Sequence, residues 1–239
     1  MLESDVDTAL IHLDGHIPIA PHEHVAALYR GRPAAFRLAP FLAEGLQRGD
    51  LCIYLAPADF QAEMLERLRA SGQNVDRHQQ AGSLRVFHGI GTLRDLREFT
   101  QQAFLEAERS EVPAVRWLEE GIWPEVAGLP MPDFFEFDAL LNYQVKHYPS
   151  VALCQYDVET IEVRHLFSAI AVHRHLLVES TLVRDNPFYI PAEKFIPLSP
   201  EERERDVRQL FREVGFDVNK LLAALAGYGQ LQRPTSREP

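Results

Sequence analysis

Short apolar runs alternate with longer amphipathic stretches through most of this 239-residue chain. The run LCIYLA is typical: it favours a buried strand, and apolar residues at helical spacing follow it. Strands separated by helices in this way form a mostly parallel sheet covered by helices. The pattern predicts strands at 51–56, 84–88, 112–118, 151–156 and 176–183, and helices at 33–48, 57–71, 93–108, 133–148 and 158–172. The predicted fold class is a doubly wound α/β sheet, with room for a hairpin or edge strand near either end.

The chain changes character near residue 189, where YIPAEKFIPLSP contains three prolines and no regular period. Ser199 is a typical N-cap for one amphipathic helix that follows. That helix carries a single apolar stripe: Val207, Leu210, Phe211, Val214, Val218, Leu221, Leu222 and Leu225. The stripe either packs on the preceding domain or serves as a homodimerisation or partner-docking surface. The predicted organisation is an α/β domain at 1–198, a C-terminal helical extension at 199–229 and a disordered tail at 230–239.

The charge balance argues against two classes of partner. The chain has 24 Lys+Arg against 35 Asp+Glu, a formal net charge of −11. Such a surface repels nucleic acid and anionic lipid, so direct binding to either is not expected. No apolar run approaches the roughly 18 residues that cross a bilayer, and the first residues lack signal-peptide features, so we expect a cytoplasmic protein. Cys52 and Cys154 both lie in apolar runs and are expected to be reduced and buried.

The segment FLAEGLQRGDLCIYL has the order of helix, glycine-containing turn and buried strand that opens a RecA or KaiC-type ATPase core. A nucleotide-binding version needs a glycine-rich loop ending in Lys-Ser or Lys-Thr, because backbone amides and the lysine must hold the phosphates. Here the strand runs into Pro57-Ala58-Asp59-Phe60, and GxxxxGK[ST] occurs nowhere in the chain. No GxSxG or partnered reactive cysteine is recognisable either. We predict a RecA/KaiC-like fold that is neither an ATPase nor another enzyme.

Five groups of residues form a series between positions 23 and 189. They are EHVAALY with His24 and Tyr29; FLAEGLQRG; RWLEEGIW with Arg116, Glu120 and Trp123, followed by Glu136 and Asn142; Cys154-Gln155-Tyr156-Asp157; and His173 with Asn186-Pro187-Phe188-Tyr189. The series resembles the MEDS domain, named for methanogens, methylotrophs and the dichloromethane-response repressor, and Cys-Gln-Tyr-Asp is its most distinctive element. Ala27 departs from the pattern, since many members carry a second histidine there, and 176–184 lacks the expected glycines.

The resemblance implies a RecA-like fold without a phosphate loop and a role in sensing small hydrocarbon derivatives in prokaryotic signalling. Ligands of open α/β sheets bind beyond the carboxyl ends of the strands, where the sequence places His88, Glu120 and Asp157. Acidic, aromatic and histidine side chains suit an apolar pocket with a few orienting polar groups. The ligand-binding residues predicted from both arguments together are His24, Tyr29, His88, Arg116, Glu120, Trp123, Gln155, Tyr156, Asp157, His173, Asn186 and Tyr189.

Several of these residues also have a purely structural interpretation. Asp157 is placed to cap a helix beginning at Val158, which does not exclude a ligand contact. Arg116 and Glu120 are placed to form a buried ion pair. His173 lies at a predicted helix end, where a cation is favoured by the helix dipole.

Metal binding is not favoured. His22-Glu23-His24 has neither a His-x-x-x-His partner nor a cysteine pair, so we expect no metal and no cofactor. The sequence favours a sensory module that binds a small organic ligand and signals through self-association or a partner protein. Two alternatives stay open: an interaction scaffold without a ligand, and an unusual enzyme that uses His24, Glu120 and Asp157.

Overall fold

A computed structural model describes residues 11–13, 17–212, 214–215 and 217–232, with side chains described from residue 17 onward. A short antiparallel pair, β1 (Ile11–Leu13) and β2 (Ile17–Ile19), precedes the main sheet. The main sheet has seven strands: β3 (Glu23–Tyr29), β4 (Leu51–Leu55), β5 (Leu84–Phe87), β6 (Val115–Glu120), β7 (Ser150–Asp157), β8 (His175–Val178) and β9 (Thr181–Val183). Their order is β5-β4-β6-β7-β3-β8-β9. All pairs are parallel except β8 with β9, which is an antiparallel hairpin. The predicted mostly parallel α/β fold is confirmed.

Helices cover both faces of this sheet. They are α1 (Arg32–Ala35), α2 (Ala39–Arg48), α3 (Ala58–Ala70), α4 (Val75–Gln80), α5 (Leu93–Arg109), α6 (Trp123–Ala127), α7 (Met131–Gln144), α8 (Val163–Val172), α9 (Ala192–Phe195), α10 (Pro200–Leu210) and α11 (Val218–Leu231). The buried side chains of α1 to α4 form one apolar cluster with the sheet, and those of α5 to α11 form the other. We call the two sides the α2 face and the α7 face. Within the described residues, no helix is long and apolar enough to cross a bilayer.

Strand β3 lies near the middle of the sheet, between β7 and β8. Successive side chains of a strand point to opposite faces, so Val25 and Ala27 join the α2 face while Ala26 and Leu28 join the α7 face. The sequence prediction missed this strand and took 51–56 as the first one of the core. A polar start, Glu23-His24, and a run of alanines give EHVAALY a weak strand signal. The strand forms because it has parallel partners on both edges, which are distant in sequence.

Because β3 precedes β4 in the main sheet, the connection after β3 is a second place where a phosphate loop could occur. The chain leaves β3 through Arg30 and Gly31 into α1, and Gly31 has φ of 69°. This connection, like the one after β4, lacks the Lys-Ser or Lys-Thr ending that holds phosphates.

Three predicted helices need correction. The helix at 33–48 is divided into α1, a 3-10 turn at Phe36–Leu38 and α2. The helix at 158–172 begins only at Val163, after a turn. The single C-terminal helix is two helices, because the chain turns at Gly215, whose φ is 75°.

The apolar stripe of the C-terminal region is largely covered within the chain. Val207 and Phe211 pack on α8, and Leu221, Leu222 and Leu225 pack beside the β8–β9 hairpin. Ser199 caps α10 in a reciprocal capping box with Glu202, as its sequence position predicts. α11 continues to Leu231, beyond the predicted start of the tail at residue 230, and residues 233–239 lie outside the described part.

Candidate functional site

The sheet separates the predicted site residues into two groups on opposite faces. Glu119 and Glu120 are adjacent in β6, so their side chains point to opposite faces, as the sequence predicts for a strand. Glu119 accepts a hydrogen bond from the indole of Trp117 at 3.0 Å on the α7 face. Glu120 accepts one from the hydroxyl of Tyr29 at 2.8 Å on the α2 face. Two separate polar centres therefore lie under the two helix layers.

The first centre is at the carboxyl ends of β3, β4, β6 and β7. Its four residues are Tyr29, Tyr54, Glu120 and Gln155, which we call the Glu120 site. Gln155 Nε2 donates to Glu120 Oε1, and Tyr29 donates to the other carboxyl oxygen. Gln155 Oε1 and the Tyr54 hydroxyl are buried and have no hydrogen-bond partner. Unpartnered polar atoms in the interior are rare and are candidates for contact with a ligand.

Burial controls the charge at the Glu120 site. Removal from water raises the pKa of Glu120 to about 8, although the hydrogen bonds from Tyr29 and Gln155 lower it. Burial and the nearby Glu120 also raise the pKa of both Tyr29 and Tyr54. The site is therefore uncharged near pH 7, and a protonated Glu120 offers a hydrogen-bond donor.

A cleft of about 180 Å³ lies beside the Glu120 site, and we call it the edge cleft. Tyr29 and Gln155 line it, together with apolar side chains from β3, α1, the 3-10 turn, the turn after β7, β8 and α11: Ala27, Leu28, Ala34, Leu38, Val158, Leu177, Val178 and Leu222. Arg30, Arg37 and Glu179 complete its lining. One water occupies roughly 30 Å³ in the liquid, so this volume suits a molecule of about four to six heavy atoms.

The second centre lies under the α7 face and is completely buried. Its members are His24 of β3, Asp138 of α7, Cys154 of β7 and His173 at the end of α8, and we call it the His–Cys–Asp cluster. His24 Nε2 lies 3.1 Å from Cys154 Sγ, and the two imidazole rings are 4.1 Å apart. Tyr156 donates a hydrogen bond of 2.6 Å to Asp138 Oδ2.

The His–Cys–Asp cluster is also held in its neutral form. Burial and the adjacent His173 lower the pKa of His24, and burial lowers the pKa of His173 to about 4. Burial, followed by the neighbouring Glu119, raises the pKa of both Asp138 and Cys154. The prediction that His173 acts as a cation at a helix end is therefore wrong, because the buried ring is neutral.

Trp123 and Tyr156 are core side chains with almost no exposed surface. Trp123 packs edge to face on Phe134 and points its indole nitrogen at Glu119 Oε2, 3.4 Å away. Neither residue lines the edge cleft. Substituting either residue would destabilise the core, so the effect would not report on ligand binding alone.

Arg116 does not pair with Glu120 as the sequence suggested. It is buried on the α2 face near the start of β6, where Nε donates to Asp50 at 2.7 Å and Nη1 to the carbonyl of Phe41 at 2.7 Å. Asp50 directly precedes β4, so the pair joins the amino ends of β4 and β6 to α2.

Two further residues have structural contacts. Asp157 accepts hydrogen bonds from the backbone amides of Gly31 and Glu159, each at 3.1 Å, and so caps the turn after β7, not a helix beginning at Val158. Asn186 is buried and donates to the carbonyls of Ile170 and His173.

The last two predicted residues lie away from the Glu120 site. His88 is exposed after the edge strand β5. Tyr189 lines a cleft of about 450 Å³ near the amino ends of β3 and β8, together with His24, Asn142 and Asn186. We call it the amino-edge cleft.

The enzyme alternative assembled from His24, Glu120 and Asp157 fails on geometry. His24 pairs with Ala152 at the start of β7 and belongs to the α7 face, whereas Glu120 pairs with Gln155 near its end and belongs to the α2 face. The three side chains do not converge on one substrate.

The sequence prediction missed Tyr54 and Asp138. Tyr54 lies two residues after Cys52 in β4 and shares its face of the sheet, but only the pairing of β4 with β6 shows that Arg116 is on that face too. Asp138 is one of two acids in the apolar segment FFEFDALL of α7, and no local pattern shows that Asp138 is the buried one while Glu136 pairs with Arg97 and Arg203.

The α/β fold and the motif that includes Cys154-Gln155-Tyr156-Asp157 both indicate the same class of protein. The family model described as "MEthanogen/methylotroph, DcmR Sensory domain" (MEDS) matches residues 23–174, which run from the start of β3 to the start of the β8–β9 hairpin. The chain belongs to this family and is a regulatory sensory module. It is 29% identical over 159 residues to the transcriptional repressor DcmR of Methylorubrum extorquens (strain DSM 6343 / CIP 106787 / DM4). The match covers 65% of this chain and 59% of that relative.

Proposed function

We propose that this module senses a small, largely apolar organic molecule that binds in the edge cleft beside the Glu120 site. The observation that carries the proposal is Gln155, which lines the apolar cleft while its buried Oε1 has no hydrogen-bond partner. A ligand with one hydroxyl or amide N–H would satisfy that acceptor and place its carbon atoms against Leu177, Val178 and Leu222. The location at the carboxyl ends of parallel strands is the usual one for ligands of such sheets.

The edge cleft also offers a route for the signal. Leu222 of α11 forms part of its wall, so the helix that follows the α/β core contacts the proposed ligand directly. α11 is held on the core by a 2.6 Å hydrogen bond from Arg30 to Asn219 and by Gln232, which bonds to the backbone of Arg184. A ligand in the cleft shifts α11 toward the conformation to which the ligand binds more tightly. The size of the shift is set by the difference between its affinities for the two conformations.

The output of the module then passes through α11 to a second copy or to a partner protein. Tyr228 and Leu231 of α11 are exposed large apolar side chains, which is what such a contact needs. By analogy with the repressor DcmR, the partner belongs to the control of transcription.

Thermal unfolding with a panel of small probes tests the ligand. The panel contains one- to four-carbon alcohols, amides and haloalkanes, because these fit the volume of the edge cleft. At least one probe should raise the Tm of the wild-type chain in a concentration-dependent way. Ala34→Phe should abolish the shift, because half-buried Ala34 lines the cleft and a phenyl ring fills it. Ala70→Phe, on the exposed surface of α3, is the matched control and should respond like wild type.

Equal Tm shifts in all three proteins would place the ligand outside the edge cleft. No shift with any probe in the wild-type chain would instead favour an interaction scaffold without a ligand.

A further inference from the structure

The His–Cys–Asp cluster brings together four metal-ligating side chains from four elements. One ligand atom each from His24, Asp138, Cys154 and His173 lies within 4.8 Å of the other three. All four residues have 2% or less of their surface exposed. Polar groups of this kind are rarely buried together unless each has a partner or they share a metal ion.

Two of the four histidine nitrogens in this cluster are unpartnered. His173 Nδ1 donates to the carbonyl of Ala169 at 2.7 Å, so in the neutral ring the lone pair is on Nε2, which has no partner. His24 Nδ1 is also buried and makes no hydrogen bond of normal geometry. Burial lowers the pKa of the His24 ring, and the nearby Asn142 side chain acts on that pKa in the opposite direction. A ring nitrogen fixed by a backbone carbonyl, with the other nitrogen free, is the arrangement found in metal-bound histidines.

The donor set selects the kind of metal. Two imidazoles, one thiolate and one carboxylate suit Zn²⁺, whereas Mg²⁺ and Ca²⁺ prefer oxygen ligands alone. Asp138 already has the supporting contact that metal-bound carboxylates usually have, because Tyr156 donates to its Oδ2. One thiolate and one carboxylate also balance the two charges of the ion, which leaves the buried site neutral.

We propose that His24, Asp138, Cys154 and His173 bind one Zn²⁺ ion as a closed structural site. On binding, Cys154 and Asp138 form bonds to the metal, and the protons of the thiol and of the carboxylic acid leave to solvent. Ligand atoms around tetrahedral zinc are about 3.3–3.8 Å apart, so the most distant pair of the cluster draws in by about 1 Å. The ion then ties α7 and the end of α8 to strands β3 and β7.

The amino-edge cleft gives the ion a way in. His24 lines this cleft, which opens beside Asn142 and Tyr189. Its wall is polar and carries charges of both signs: Glu23, Asp185, Glu193, Lys146 and Arg174. A hydrated cation reaches the edge of the cluster through this polar opening, and the buried donors replace its water.

The proposed site differs from the His22-Glu23-His24 motif that the sequence draws attention to. His22 Nδ1 contacts the carbonyl of Val145 at 2.7 Å, and Glu23 forms an ion pair with Arg184. Only His24 of the motif enters the proposed site, because Glu23 points to the opposite face of β3 and His22 precedes the strand with a φ of 72°. The other ligands come from positions 114 to 149 residues further along the chain, which no local spacing reveals.

Metal titration of the full chain tests the proposal. The protein is purified reduced and chelator-treated, and is then titrated with Co²⁺ and Zn²⁺. Wild type should bind one Co²⁺ with a near-ultraviolet thiolate charge-transfer band, which one equivalent of Zn²⁺ removes. Cys154→Ser should lose the band and bind Zn²⁺ at least tenfold more weakly. Cys52→Ser is the matched control, because Cys52 is equally buried but lies on the α2 face, and it should behave like wild type.

His173→Asn provides a second test that does not depend on the cysteine. An asparagine amide can keep the bond to the Ala169 carbonyl but removes Nε2, so Zn²⁺ affinity should again fall at least tenfold, with the far-ultraviolet CD spectrum unchanged. Absence of stoichiometric metal binding by wild type, or a thiolate band that is lost in Cys52→Ser and kept in Cys154→Ser, would overturn the proposal. The proposal is independent of the edge cleft, so Ala34→Phe should bind Zn²⁺ like wild type.

Discussion

Glu120→Gln should make the chain more stable, and the gain should grow as the pH rises. The ordinary pKa of a glutamate is 4.5, and burial raises that of Glu120 to about 8 in the folded state. The folded state therefore binds more protons than the unfolded state between these two values. Stability is lost as the pH rises through this window, and the loss is complete above the folded pKa. The amide of the variant stays neutral in both states, so the variant avoids this loss.

The magnitude follows from the proton-linkage slope. One pH unit inside the window corresponds to about 1.4 kcal/mol, so the advantage of Glu120→Gln over wild type should grow by about 2 kcal/mol from about pH 5 to about pH 7. The side chain stays similar in shape and its amide oxygen still accepts from Tyr29, while its new NH2 group donates to Gln155 Oε1 once the Gln155 amide rotates by 180°. Urea unfolding at four pH values across this range gives the difference directly.

Glu66→Gln on the exposed surface of α3 is the control, and its difference from wild type should stay flat over the same range. A flat difference for Glu120→Gln as well would refute the reasoning. It would mean that Glu120 is ionised in the folded protein and that the Glu120 site is charged.

Three other substitutions test contacts that stabilise the fold. Asp50→Ala should lower the free energy of unfolding by about 3 kcal/mol in urea, because the buried Arg116 guanidinium keeps only the partly exposed Glu44 carboxylate, 3.3 Å away; a loss below about 1 kcal/mol would contradict this. Trp123→Ala should reduce stability by about 3–5 kcal/mol by leaving a cavity against Phe134, and an unchanged urea midpoint would show that the indole is not packed there. Ser199→Ala removes the capping box of α10 and should lower the Tm by the equivalent of about 1 kcal/mol, whereas Ser199→Asp should retain most of the stability.

Much of the fold is predictable from local pattern. The strands at 51–56, 84–88 and 151–156 are observed to within two residues, because each is a short segment rich in apolar and β-branched or aromatic residues. The strand expected at 112–118 begins instead at Val115, after Pro113, which cannot donate a sheet hydrogen bond. β3 was missed because its pairing with β7 and β8 is nonlocal, and no pattern inside EHVAALY reports it.

The site was predictable in part. Tyr29, Glu120 and Gln155 were expected in one site, and they form one hydrogen-bonded group. The motif did not reveal that His24 and Tyr156 lie on the other side of the sheet. That division depends on strand register and on alternation within β3 and β7, neither of which is known until the strands are paired.

The partners of buried charges were the least predictable feature. Arg116 and Glu120 are four residues apart, which suits a pair on a helix, but on a strand both side chains share one face about 13 Å apart. Arg116 reaches Asp50 instead, at the start of the neighbouring strand. Asp138 similarly meets Cys154 and Tyr156 only because α7 packs across β7.

The most direct test of the proposed sensory function is to locate a small ligand in crystals of the full chain. 3-Bromopropan-1-ol has five heavy atoms, one hydroxyl group and a bromine whose anomalous scattering marks its position. The predicted result is a bromine peak in the edge cleft against Val178 and Leu222, with the hydroxyl within hydrogen-bond distance of Gln155 Oε1. Bromine peaks confined to other surfaces, such as the groove that Val163 of α8 and Val207 of α10 line, with only solvent beside Gln155, would contradict the account.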